Sequence, residues 1–210
     1  MWTTCRLLLF TRYPEVGKTK TRLIPELGAM DAALLQKRLT ERLIIQADLL
    51  ATHPGIETIV YYSEGDSDKM TSWLGPRKFV AQTSGDIGQR MLAAFQHTFS
   101  GGVDKAVLIG SDIPDITADL LQQAFSSLIA RDVVIGPSQD GGYYLIGLKA
   151  GQSPELLSLL FEKMPWSTDE LLANTKSRLE QAGYAAAFLP TLRDIDLPSD
   201  LFFARQRGLL

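Results

Sequence analysis

The sequence predicts an α/β fold: one three-layer α/β/α domain, residues 1–210, with a mixed, mostly parallel sheet. Three observations carry this. Short apolar runs alternate with stretches of helical periodicity. The strand-like runs "LLLF", "KAVLIG" and "DVVIG" are apolar almost throughout, as in parallel strands covered on both faces. No internal repeat, low-complexity segment or linker interrupts the 210 residues, a length that suits one substantial core.

The elements follow in order. Leu7 to Phe10 is the first strand. Residues 30 to about 52 read as a helix, because Leu35, Leu39, Leu43, Ala47 and Leu50 fall at three- and four-residue spacings, and His53-Pro54-Gly55 ends it. "ETIVYYS" is a second strand, 66–74 a short helix and "KFVAQ" a third strand. "DIGQRMLAAFQHTF" is a helix stopped by Gly101-Gly102. After the strand "KAVLIG", Thr117 caps a helix over 118–130. "DVVIG" and "YYLIGL" flank a turn, "PSQDGG", short enough to pair them antiparallel. Ser167 and Glu170 fit a capping box that opens a helix to about Ala182. "AAAFLP" is a late strand, and a loop then leads to a final helix.

Composition excludes several function classes. A net charge of −3 argues against nucleic acid and membrane surfaces as partners, so any phosphate site must be a local basic cluster. Cys5 is the only cysteine, which rules out an internal disulfide or a thiolate metal cluster and suits a reducing cytosol. The two histidines, His53 and His97, stand far apart in sequence. No run is long enough for a membrane span, and the apolar run near the N-terminus is too short for a signal peptide, so a cytoplasmic location is expected.

The stretch "TRYPEVGKTKTRLIPELG" contains Gly17-Lys18-Thr19, the second half of a phosphate-binding P-loop. The first glycine of that motif belongs at position 12, which is Arg12, and Pro25 follows where the P-loop helix should run. The motif is therefore not a P-loop. It remains a glycine-containing loop at a strand end, carrying Arg12, Lys18, Lys20 and Arg22. Lys20 and Arg22 alternate and can point the same way, and an ammonium beside a forked guanidinium suits a di- or triphosphate. A solvated basic loop is the bland alternative; the strand-end location favours a ligand.

The carboxylates form the second set. Asp112 lies two residues beyond a buried strand, where it either shapes the turn before Pro114 or offers an oxygen to a hard divalent cation. In "RDIDLPSD", Asp194 and Asp196 alternate and can share a face, and one of them can complete a metal shell; helix capping competes, most strongly for Ser199 and Asp200. Asp115 reads as structural. Asp140-Gly141-Gly142 is a hairpin-turn signal, yet Tyr143 and Tyr144 follow at once, an aromatic pair able to line a sugar or acceptor pocket with Asp140 as base or sugar-hydroxyl ligand. In "QTSGDIGQRM", Gln82 can read a base edge and Gly85 allows close approach; Asp86 reads as a nucleotide contact or as a plain helix start. Trp166, ahead of Ser167 and Thr168, is either a hydrophobic staple or a stacking surface.

Taken together, "GKTKTRLIPELG", "QTSGDIGQRM", "GSDIPDI", "GPSQDGGYYLIGL", "PWST" and "DIDLPSDL" run in order along nearly the whole chain. With them the sequence resembles a bacterial family of glycosyltransferase-A-like proteins, some labelled arsenosugar-biosynthesis glycosyltransferases. The wider superfamily is the nucleotide-diphospho-sugar transferases, which includes 2-phospho-lactate and molybdenum-cofactor guanylyltransferases. The resemblance implies a bound nucleotide and a divalent metal, Mg²⁺ or Mn²⁺. It implies Gly17, Lys20 and Arg22, with Lys18 beside them, for phosphates; Gln82 and Gly85, with Asp86 beside them, for the base; and Asp112 and Asp196 for metal. "TRYPE" departs from the family pattern and puts the role of Arg12 in doubt.

Three functions are expected to compete. The first is glycosyl transfer from a nucleotide-sugar to a small acceptor, with Lys20 and Arg22 stabilising the leaving group and Asp140 handling the acceptor. Gly141, Gly142, Tyr143, Trp166, Ser167 and Thr168 would form the acceptor or sugar side. The second is nucleotidyl transfer from a nucleoside triphosphate with release of pyrophosphate. The third is a non-catalytic nucleotide-binding module. Phe202, Phe203, Leu209 and Leu210 mark either a homodimer contact or chain-end packing.

Overall fold

In the computed structural model, which describes residues 3–210, seven strands form one sheet in the order β3-β2-β1-β4-β6-β5-β7. The strands are β1 (Cys5–Arg12), β2 (Ile56–Ser63), β3 (Lys78–Ala81), β4 (Lys105–Gly110), β5 (Val133–Pro137), β6 (Tyr143–Lys149) and β7 (Ala186–Phe188). All neighbours are parallel except β6, which runs antiparallel to both β4 and β5. The expected mixed, mostly parallel sheet is therefore present, and the antiparallel strand is the one that follows the Asp-Gly-Gly turn.

Alternation sorts the strand side chains to two faces. Leu7 and Leu9 of β1, with Val107 and Ile109 of β4, pack under α1 (Ile24–Leu50), α2 (Ser67–Leu74) and α4 (Ala118–Ser127). Leu8 and Phe10, with Ala106 and Leu108, pack under α3 (Ile87–Ser100), α5 (Pro154–Phe161) and α6 (Leu171–Gln181). A third apolar cluster joins α1 to α7 (Leu201–Gln206) through Leu35, Leu39, Leu201 and Leu209. No helix among the described residues is long and apolar enough to cross a membrane.

Several expectations change in detail. The long helix starts earlier, at Ile24, but it breaks at Gly28 (φ 79°), so the regular helix begins close to the expected residue 30. Helix α5 was missed; Ser153 caps it through the Leu156 amide and Pro154 opens it. The Ser167–Glu170 capping box does not form. Ser167 lies in the left-handed region (φ 63°) and Glu170 precedes α6 with no side-chain cap. Of the chain-end apolar residues, Leu209 is buried in the third cluster and Phe203 packs against it, while Phe202 is exposed.

Candidate functional site

The loop after β1 is held in shape by its own backbone. Gly17 (φ 83°) and Lys20 (φ 50°) both take left-handed conformations, and space around Gly17 is open, so its φ rather than close contact requires glycine. Arg12 Nη1 donates to Lys18 O, and Thr19 Oγ1 to Tyr13 O. Lys20 and Arg22 do point the same way, through a left-handed residue and a 3-10 turn rather than an extended loop. The Lys20 ammonium, 4% exposed, donates to Ile195 O at 2.6 Å and lies 2.6 Å from Asp112 Oδ1 and 3.8 Å from Asp196 Oδ1. Arg22 Nη1 meets Asp196 Oδ2 at 2.6 Å and remains largely exposed.

Asp112 and Asp196, 84 residues apart in sequence, are thus gathered on one ammonium. The chain that carries Asp196 runs as a strap beside the ends of β4 and β5. Leu192 N donates to Pro137 O, Gln139 N to Leu192 O, and Ile195 N to Asp112 O. Asp200 fastens the end of the strap by accepting from the Asp196 and Leu197 amides and from Arg193. Asp115 is structural, as expected, and is held by two bonds from Arg207.

A polar cleft of about 880 Å³ opens over these groups, lined by Lys18, Lys20 and Arg22 and by Asp112, Asp140, Asp194 and Asp196. Its floor is a buried hydroxyl–amide network in which Gln36 Nε2 donates to Ser111 Oγ at 2.9 Å and to Thr40 Oγ1 at 3.2 Å. Gln82 lines the cleft with its amide fixed: Nε2 donates to the Tyr61 and Thr11 carbonyls, which can only accept. Its Oε1 is therefore the uncommitted atom of the amide, and it can only accept. Asp86 takes the plainer of its two roles. Its carboxylate caps α3 through the Gln89 amide, while Gln89 returns a bond to the Asp86 amide, and Asp86 does not line the cleft.

The residues expected on the acceptor side meet through backbone contact. A β-carbon on Gly141 (φ 85°) would collide with the backbone of Asp169, and Leu172 N donates to Gly141 O, so the "PWSTD" segment docks on the "DGG" turn. That docking brings Ser167 and Thr168 to the cleft. Gly88 serves the same segment, since a β-carbon there would lie 2.5 Å from the Trp166 ring. Trp166 packs edge-on to Tyr143 with centroids 6.3 Å apart. Asp140 Oδ1 accepts from Ser138 Oγ and, at 3.0 Å, from Gly142 N, so Gly142 orients the carboxylate and Oδ2 is uncommitted.

The sequence pairs Asp194 with Asp196, and the resemblance implies Asp196 for metal. In the structure both line the cleft with Asp112 and Asp140, and Asp194 also lines a smaller adjoining chamber that Asp196 does not. Burial, then the neighbouring Asp140, Asp200 and Asp112 carboxylates, push the Asp194 carboxyl up to about 6. Its charged form therefore opposes folding at neutral pH. As pH falls from about 6 towards 4 the folded protein takes up a proton that the unfolded chain does not, and stability rises. Asp194→Asn is expected to stabilise the protein at pH 7 by about 1–2 kcal/mol, a figure reduced for partial exposure, and to remove that rise. Urea unfolding of both proteins at pH 5 and pH 7 measures it; equal stability at pH 7 would show that Asp194 carries no such burden.

The family model described as "Uncharacterized protein conserved in bacteria (DUF2064)" matches residues 46–168. No curated protein matches the chain. Among solved structures, a protein from Desulfovibrio desulfuricans G20, provisionally named a nucleotide-diphospho-sugar transferase, is 34% identical, with a TM-score of 0.83 over 93% of this chain and 84% of that one. A cytidylyltransferase from Leptospira borgpetersenii serovar Hardjo-bovis (strain JB197) is 15% identical, with a TM-score of 0.57 over 95% of this chain and 84% of its own. The inositol-1-phosphate CTP transferase from T. maritima is 17% identical, with a TM-score of 0.53 over 99% and 94%. The likeness to the last two is one of fold.

Proposed function

The chain belongs to the bacterial family described as "Uncharacterized protein conserved in bacteria (DUF2064)", and from that premise we propose that it is a metal-dependent glycosyltransferase that moves a sugar from a nucleotide-sugar to a small acceptor. One observation carries the reading. Asp112, Asp140 and Asp194 stand on the boundary between a cleft walled by cations and a smaller chamber of about 230 Å³ walled by apolar and aromatic side chains. A nucleoside diphosphate suits the first space and an acceptor the second, with the transferred sugar between them. The name of the Desulfovibrio protein agrees with this class of donor.

The donor set fits a hard divalent ion such as Mg²⁺ or Mn²⁺. It is all carboxylate, and burial first, then the neighbouring carboxylates, raise the Asp194 carboxyl, a strain that a bound cation would relieve. Among the described residues no three His, Cys, Asp or Glu side chains are grouped as a complete metal site. Asp112, with Asp194 or Asp196, would therefore hold the ion alongside diphosphate oxygens and water. Bound there, the ion supplies neutralisation of the diphosphate as it departs. Lys20 and Arg22 add charge stabilisation to the same oxygens. Asp140 Oδ2 takes the proton of the acceptor hydroxyl.

A second reading, nucleotidyl transfer, is favoured by one feature: Lys18 and Arg12 add cations to the wall that Lys20 and Arg22 already charge, enough for a third phosphate. Both readings are tested by thermal shift with nucleotide-sugars, diphosphates and triphosphates, with and without Mg²⁺, followed by product analysis. A ligand at about a hundredfold its Kd adds ~2.7 kcal/mol. Glycosyl transfer expects a metal-dependent shift with a nucleotide-sugar and release of a nucleoside diphosphate. Pyrophosphate release from a triphosphate would instead select the second reading, and no shift with any nucleotide would remove both.

A further inference from the structure

The smaller chamber carries information about the acceptor. Ile87 and Met91 of α3, Leu171 of α6, Tyr143 and Trp166 form its apolar body. No Lys, Arg or His lines it; its only charged groups are Asp112, Asp140 and Asp194, which the main cleft shares. An anionic group entering the body of the chamber would leave water and find no cation in its lining, because the nearest ammonium, that of Lys20, is held by Asp112 at 2.6 Å. The volume, about 230 Å³, equals on the order of eight water molecules in the liquid, room for a small ring or short chain.

Resting on the glycosyl-transfer reading, we propose that the acceptor is a small uncharged alcohol with an apolar or aromatic body. Trp166 and Tyr143 clasp the body, and the reacting hydroxyl faces the chamber mouth beside Asp140. In the transfer step the acceptor oxygen bonds to the anomeric carbon. The bond from that carbon to the diphosphate oxygen breaks, and its electron pair leaves with the nucleoside diphosphate. The acceptor proton passes to Asp140. Phosphorylated or carboxylated acceptors are disfavoured because the body of the chamber offers no cation and an ion held by Asp112 is committed to the diphosphate.

The test uses three probes with one aromatic body and different charge: 4-methoxybenzyl alcohol, 4-methoxybenzoate and 4-methoxybenzyl phosphate. Their binding to the full chain is measured by ligand-observed NMR titration. The alcohol is expected to bind at least tenfold more tightly than either anion. Ile87 is partly exposed at the start of α3 and lines the chamber; Ile87→Arg adds the missing cation and is expected to reverse the preference towards the benzoate. Equal or tighter binding of an anion to the native protein overturns the proposal, as does no binding by any probe. The donor is tested separately. Selective binding of the alcohol with no thermal shift from any nucleotide-sugar would keep the chamber's preference and overturn the transfer reading on which its role as acceptor rests.

Discussion

Asp112→Asn is expected to lower glycosyl-transfer turnover about 10³-fold, equivalent to ~4 kcal/mol of transition-state stabilisation, while leaving the fold intact. Asparagine keeps the shape of the side chain and removes its charge. The structural cost is limited because Asp112 is half-exposed, and its partner Lys20 keeps the Ile195 carbonyl at 2.6 Å and Asp196 at 3.8 Å. An ion pair with one solvated partner contributes little to stability. The functional cost is large because a neutral amide oxygen is a poor ligand for a hard cation that must also hold a diphosphate. Two readouts check this: turnover, and the dependence of the nucleotide-sugar thermal shift on Mg²⁺. A variant that keeps a tenth of the native turnover and the same Mg²⁺ dependence would remove Asp112 from the metal site.

The sheet was legible because its central strands are apolar throughout, a pattern that only burial on both faces explains. The Asp-Gly-Gly turn made β6 antiparallel, and a turn is local information. Helix α5 was hidden for the opposite reason. Its eight residues, "PELLSLLF", form an apolar run whose length suits a strand equally well, and only Ser153-Pro154 pointed to a helix start. The capping box at Ser167 failed because a tertiary contact overrode a local preference. The Gly141 backbone meets Asp169, and the segment around it takes the conformation that docking requires.

The site divides along the same line. Residue types announced the chemistry: a basic loop at a strand end, carboxylates at two other loop ends, aromatics after a turn. What each faces depends on contacts far apart in sequence. Asp194 and Asp196 look alike in the sequence. They are told apart only when the strap bonds to Asp112 O and Pro137 O, which turns Asp196 to Arg22 and leaves Asp194 lining the smaller chamber as well as the cleft. Asp86 illustrates the reverse case. The Asp-x-x-Gln spacing is a local capping signal, and the cap forms as that spacing dictates.

Lys20→Met is expected to reduce kcat/KM for the nucleotide-sugar about 10³-fold and, in the free protein, to tighten metal binding. The two effects have opposite signs because Lys20 does two jobs. In the free protein its ammonium occupies Asp112 Oδ1 at 2.6 Å, so it competes with a cation for that oxygen. Once a diphosphate is bound, the same ammonium is free to turn towards phosphate oxygens and offset their charge, a contribution worth 10²–10³ when a single well-placed donor is removed. Methionine matches the length of lysine and brings no charge. The stability change should stay near ~1 kcal/mol, because Asp112 and Asp196 are both partly solvated and the chief loss is one bond to Ile195 O. Lys20→Arg is not expected to restore function: the ammonium sits 4% exposed between a carbonyl and two carboxylates, a place for a compact point charge rather than a planar fork. Isothermal titration with Mn²⁺, with and without nucleoside diphosphate, separates the two jobs. Tighter metal binding alone and weaker binding with nucleotide would support them both. A variant that binds Mn²⁺ as the native protein does in both conditions would mean that Lys20 only pins the strap to the loop.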